Sequence, residues 1–198
     1  MYVKISNGQV EKYPYTIGQL RKDNPNTSFP KVPSTASLAD FDVYPVTPVA
    51  PPAASGFTKR VTEQTPTLVG SDYVQAWQEV DRFSSLAEAK EALETTIADK
   101  ARELRDGGLT VSGMLVGTDA EARSLLLGAK TNPKTSRKIV TKGGKAELNS
   151  AQMTAIVDAV DDFIQAVMER QYDLLVATEA AQSFAELDAI DIDSGWPV

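Results

Sequence analysis

The sequence predicts an α+β fold: a small β-rich N-terminal module followed by a helix–hairpin–helix–hairpin–long helix domain. Three observations predict it. Apolar residues alternate with period two in the first eighty residues and switch to a helical period from Ser84 onward. Capping signals of the Ser/Thr/Asn-x-x-Glu/Gln type stand before the helical runs. Two turn dipeptides, Asn7-Gly8 and Ser112-Gly113, sit between short strand-like runs. The implied organisation is a β-rich module over 1–83 with a Pro-rich strap at 45–56, an α+β domain over 84–182, and an acidic C-terminal tail over 183–198.

Taken in order, "YVKI" and "QVEKYPYTI" flank Asn7-Gly8 as a hairpin, because Asn and Gly tolerate the positive φ that a two-residue turn needs. A short helix over Gly18–Asp23 is stopped by Asn24-Pro25. Prolines at 45, 48, 51 and 52 suit an extended strap or linker and argue against a central strand. Two β-rich runs lie on either side of Gly70-Ser71-Asp72, the second an alternating, half-buried strand around Trp77. Tyr2, Tyr13, Tyr15, Tyr44 and Tyr73 are expected to supply much of the module's core.

Ser85-Leu86-Ala87-Glu88 reads as a capping box for a helix whose stripe is Leu86, Ala89, Leu93, Ile97 and Leu104, ended by Gly107-Gly108. "LTV" and "MLV" flank Ser112-Gly113. Thr118-Asp119-Ala120-Glu121 opens a second helix running to about Gly128. "RKIVT" and "KAEL" flank Lys142-Gly143-Gly144. Asn149 caps the longest helix, to roughly Ala181, and Ser183 offers a further cap before a short turn and the tail.

Composition narrows the chemistry. The 198 residues include neither Cys nor His, which excludes disulfides, thiolate ligands, cysteine nucleophiles and the commonest general base and zinc ligand. No apolar run approaches the ~20 residues of a membrane span, and the first fifteen residues lack the pattern of a signal peptide. A soluble protein made in a cytoplasm, without membrane insertion, is therefore expected. The net charge of −7 is uneven: seven cations face four anions in 1–60, twelve face thirteen in 61–150, and one faces ten in 151–198. That acidic end argues against nucleic acid as a partner.

The glycines of "DGGLTVSGMLVGTD" at 106–119 raise the question of a phosphate loop. A P-loop needs Gly-x4-Gly-Lys-Ser/Thr, and no lysine follows these glycines; each has a turn or a cap to serve instead. Asp158, Asp161 and Asp162 lie on or beside one helical turn, where carboxylates act on sugars or hold a divalent cation, but a solvated acidic face accounts for them as well. "DIDSG" at 191–195 is too short for a calcium loop and lacks its distal glutamate. "KTNPKTSRK" at 130–138 reads as a solvated loop. No catalytic, cofactor or metal site is expected, and the chain is read as a non-enzyme.

What remains is a candidate interface. Met153, Val157, Val160, Ile164, Val167 and Leu174 form a heptad-like seam on the longest helix, interrupted by Gln171 and widened by Ile156, Phe163, Met168 and Leu175. Packing on the domain's own hairpins and an added subunit contact both fit it. Trp196, near the end of the acidic tail, either anchors in a neighbour's pocket or folds back.

Three segments carry a resemblance: "GGLTVSGMLVGTD" at 107–119, "LLLGA" at 125–129 and "LNSAQMTAIVDAV" at 148–160. They resemble the phage and prophage domain of unknown function numbered 4376, whose members commonly occur among tail-fibre genes. The front segments at 10–30 and 43–46 are similar to N-terminal segments of phage tail proteins. The resemblance implies a structural virion protein of the tail-fibre or baseplate region, acting as an adaptor or attachment component. Its partners would be other tail or fibre proteins or a second copy of the chain. A tail-fibre assembly chaperone, absent from the mature particle, is the alternative. An enzyme acting on cell-surface glycan through the three aspartates is a third reading.

Overall fold

The computed structural model describes residues 1–198 except Pro133 and Lys142. The chain divides into two compact units, Met1–Arg82 and Phe83–Val198. Together they give the expected α+β content, with a β-rich sheet first and a helical region after it.

In the N-terminal unit, β1 (Tyr2–Ser6) and β2 (Gln9–Tyr15) form the predicted hairpin, with Asn7 and Gly8 at φ 52° and 75°. Helix α1 (Ile17–Asp23) is opened by a reciprocal cap: Thr16 Oγ1 accepts from the Gln19 amide while Gln19 Oε1 accepts from the Thr16 amide. A second short helix, α2 (Thr35–Ala39), is capped by Ser34 and absent from the sequence reading. Then follow β3 (Val43–Thr47), β4 (Lys59–Val69) and β5 (Asp72–Asp81), in a sheet of order β2-β1-β3-β5-β4.

The first three residues of the expected Pro-rich strap, 45–47, thus correct the prediction, because "VYPVT" at 43–47 is the middle strand of the sheet. Pro45 is tolerated there for a directional reason. Successive amides of a strand point to opposite sides, and Val46 N donates to Met1 O on the β1 side. The side that Pro45 cannot serve faces β5, whose parallel pairing begins only at Val46 opposite Tyr73.

Beyond β3 the chain is a strap held across one face of β5. Gln75, Trp77 and Glu79 are alternate residues: Gln75 Oε1 accepts from Val49 N, Trp77 Nε1 donates to Val49 O at 2.8 Å, and Glu79 accepts from the Ser55 amide and hydroxyl. This cover explains why residues 73–77 are all half-buried instead of alternating.

One face of the sheet packs Tyr15 and Val43 against Leu20 and Leu38 of the helices, with Phe29 and Phe41 edge-to-face at 5.0 Å. The other gathers Val3, Ile5 and Val46 with Tyr13, Tyr44 and Tyr73. Of the five tyrosines expected in the core, Tyr15 is fully buried and the rest flank it in part. Tyr13 on β2 donates to Glu63 on β4, so the two outermost strands meet through side chains and the sheet is curled.

In the C-terminal unit, α3 (Leu86–Gly107) leads through β6 (Leu109–Val111) and β7 (Met114–Val116) to α4 (Ala120–Thr131). Strands β8 (Ser136–Thr141) and β9 (Gly144–Asn149) precede α5 (Ser150–Ala180) and α6 (Phe184–Asp188). Helices α3 and α4 both pack along α5, which also touches β6 and β9.

Caps differ in detail from expectation. Ser85 accepts from the Glu88 amide, but the Glu88 carboxylate turns to the amide and hydroxyl of Ser84. Asp119, not Thr118, caps α4. Thr118 is fully buried and its hydroxyl oxygen accepts from Gly108 N at 2.9 Å, tying the end of α3 to the start of α4. Asn149 and Gln152 form the capping box of α5 as read. The turn proposed at Lys142-Gly143-Gly144 lies partly outside the described residues; Gly143 N donates to Leu115 O, which joins the second hairpin to β7.

The acidic tail is also corrected. It contains α6, whose Leu187 is fully buried, and folds back on its own unit. Arg170 on α5 donates to Asp191 O at 2.7 Å and Ser194 O at 3.0 Å, Lys100 pairs with Asp193, and Trp196 packs against the core. Gly195, at φ +76°, lets the chain pass Arg170, whose guanidinium carbon would lie 3.1 Å from an added Cβ.

A candidate docking groove in the C-terminal unit

The apolar seam proposed as an interface is not available as one. Met153, Val157, Val160, Ile164 and Val167 lie in the unit's own core with Val116, Leu126, Leu148 and Phe163, and Leu174 is buried as well. The wide apolar face is used up because α3, α4 and the hairpins all pack along α5. Each such aliphatic side chain contributes about 1.5–3 kcal/mol by leaving water. Trp196 joins the same core, its indole N–H donating to Ile192 O.

What α5 leaves outside is a different row. Met168, Tyr172 and Val176, spaced by four, are exposed. On α4, Leu125 is 69% and Leu127 56% exposed while Leu126 between them is buried. A Leu-Leu-Leu run on an amphipathic helix cannot face the core throughout, since successive residues differ by about 100° around the axis.

Between α4 and β8, Leu125 and Leu126 border a groove of about 490 Å³. Leu125, Leu126 and Ala129 of α4 form one wall, Met153 of α5 contributes to the floor, and all six residues of β8 line the other side. Lys134, Arg137 and Lys138 stand on its rim, and none of the lining residues is acidic. Among the described residues no carboxylate pairs with these three cations. Arg137 donates to Asn132 O, while its Nε is buried without a hydrogen-bond partner among the described residues. The segment 130–138, read as a solvated loop, is exposed at its described residues except half-buried Arg137, but its ends belong to α4 and to β8. The signal for it was present: four cations and no anion in nine residues of an acidic chain, two residues after three leucines.

Asp158 is held by Lys130 at 2.5 Å, and that contact raises the Lys130 pKa through the Asp158 hydrogen bond; Asp161 and Asp162 are exposed. Asp191 of "DIDSG" accepts from the amides of Asp193 and Ser194 and from the Ser194 hydroxyl, which hold its pKa below the usual carboxylate range. Its oxygens are thus engaged in shaping the tail.

Comparison with known families finds a match over residues 88–194 to the domain of unknown function DUF4376. The chain belongs to this family. The match runs from the first turn of α3 to Ser194 and includes the whole groove and all three segments that carried the resemblance. No match was found among curated proteins or among solved structures.

Proposed function

We propose that the protein is a structural component of a phage virion in the tail-fibre or baseplate region, a non-enzymatic adaptor that binds by shape and buried apolar contact. The observation that carries the adaptor reading is the groove between α4 and β8, apolar within and basic at its rim, on the family domain. The exposed row Met168, Tyr172 and Val176 on α5 offers a second contact surface. The phage context rests on the resemblance of residues 10–30 and 43–46 to N-terminal segments of phage tail proteins and on the tail-fibre context that the resemblance of residues 107–160 implies. Synthesis takes place in the host cytoplasm and the protein then resides in the tail.

The second reading is an assembly chaperone for a tail fibre. It is favoured by the charge of residues 151–198, one cation against ten anions, which suits transient shielding of a basic fibre terminus. Mass spectrometry of purified virions separates the two. Stoichiometric presence is expected for the structural role; presence in infected cells but absence from particles overturns it in favour of the chaperone.

A further inference from the structure

We propose that the groove takes an extended, acidic–aliphatic segment of a partner protein, added as a third strand along the free edge of β8. The inference shares the groove with the adaptor reading and rests on that part of it, but not on the phage context.

The placement of β8 carries the argument. Side chains of a strand alternate between faces, so a groove lying on one face would be lined by every second residue. Here all six consecutive residues from Ser136 to Thr141 line it, so it runs along the edge of the strand. Among the described residues that edge pairs with no other strand, since β8 and β9 form a two-stranded sheet. Thr141 opposite Gly144 closes the hairpin and is a hydrogen-bonded pair. By alternation, the amides and carbonyls of Val140, Lys138 and Ser136 turn away from β9 toward the groove. Such a row rewards an extended chain, which brings unpaired groups of its own; a helix has already satisfied its own.

The lining defines the side chains of that strand. Leu125, Leu126, Ala129, Ile139 and Met153 offer an aliphatic surface to every second residue. Lys138, on the face opposite Ile139, is positioned for carboxylates on the residues between, with Lys134 just before the strand, while Arg137 shares the face of Ile139. The same three cations exclude a second copy of β8 as the occupant, because antiparallel pairing of two such edges would oppose like charges. Single-stranded nucleic acid is disfavoured because no aromatic side chain lines the groove for base stacking.

The test uses the full chain and a seven-residue peptide alternating valine with glutamate, blocked at both ends, beside a valine–lysine counterpart and a short oligothymidylate. Binding is followed by amide NMR shifts and fluorescence anisotropy at about 50 mM salt, where surface charge is weakly screened. The glutamate peptide is expected to bind, with shifts confined to residues 134–141 and the Leu125 and Leu126 methyls, and the lysine peptide not to. Val140→Pro removes one outward N–H and is expected to abolish binding. Because that change also strains the hairpin, the double variant Lys134→Glu with Lys138→Glu is the companion: it is expected to weaken the glutamate peptide about tenfold or more and to admit the lysine peptide. Equal binding of both peptides, shifts away from β8, or tighter binding of the oligothymidylate overturns the proposal. Virion mass spectrometry is blind to all of these outcomes, so the two readings fail separately.

Discussion

At the residue scale, Thr118 joins two helices with one hydroxyl. It is fully buried and accepts from the Gly108 amide, so Thr118→Val keeps the shape and orphans a donor. Denaturant unfolding is expected to show a loss of about 1–3 kcal/mol; a change under ~0.5 kcal/mol, the usual scatter of neutral surface substitutions, would mean the contact is dispensable. Tyrosines give a second prediction. Burial, and next the bond to Glu63, push the Tyr13 hydroxyl from 10.0 up to about 12, while burial and Asp23 push Tyr15 higher still. Both groups bind their proton more tightly when folded. Their contribution to stability is therefore complete below pH 10 and is lost as pH rises from there, through about 12 for Tyr13 and at still higher pH for Tyr15. Ring carbon NMR is expected to show both titrating above pH 10, and Glu63→Gln to move Tyr13 downward. Thr118 also shows what a sequence leaves ambiguous. Thr and Asp stand side by side as equally good caps, and only the position of Gly108, ten residues back, decides which of them turns inward.

At the scale of elements, local signals were the legible ones. Asn7-Gly8, Ser112-Gly113 and the Asn149/Gln152 box each operate within a few residues, and each appears as read. Elements whose existence depends on distant partners were not legible. Strand β3 carries Pro45, a local argument against a middle strand that is overridden by pairing with β1 and β5. The seam on α5 was correct as an apolar face, but its period cannot distinguish a neighbour in the same chain from one in another. Helix α6 is short and acidic, and read as the start of a tail; a single buried side chain, Leu187, holds it. Leu187→Ala is expected to cost about 2–5 kcal/mol. If α6 is released as a result, Trp196 emission shifts to the red in a Trp77→Phe background; an unchanged spectrum with an unchanged unfolding midpoint would show that α6 adds nothing to the unit.

For the whole molecule, the C-terminal unit draws its main core from its own residues, from Ala101 to Trp196, around one 31-residue helix. Residues 83–198 expressed alone are expected to unfold cooperatively and to retain helical circular dichroism; a broad, non-cooperative melt would show that the core is incomplete without residues 1–82. The groove was the least legible feature because it is a property of two elements brought together, although its leucines and cations are adjacent in the chain. The β3 strand has a consequence for timing. Pro45 pairs with Tyr2, already synthesised, whereas Val46 pairs with Tyr73, which leaves the ribosome later. During that interval the nascent sheet presents an open edge at β3, the kind of template that recruits other chains. Pro45 and the prolines at 48, 51 and 52 remove amide donors from this edge and the segment after it, which makes the strap a guard against premature pairing while β5 is still being made.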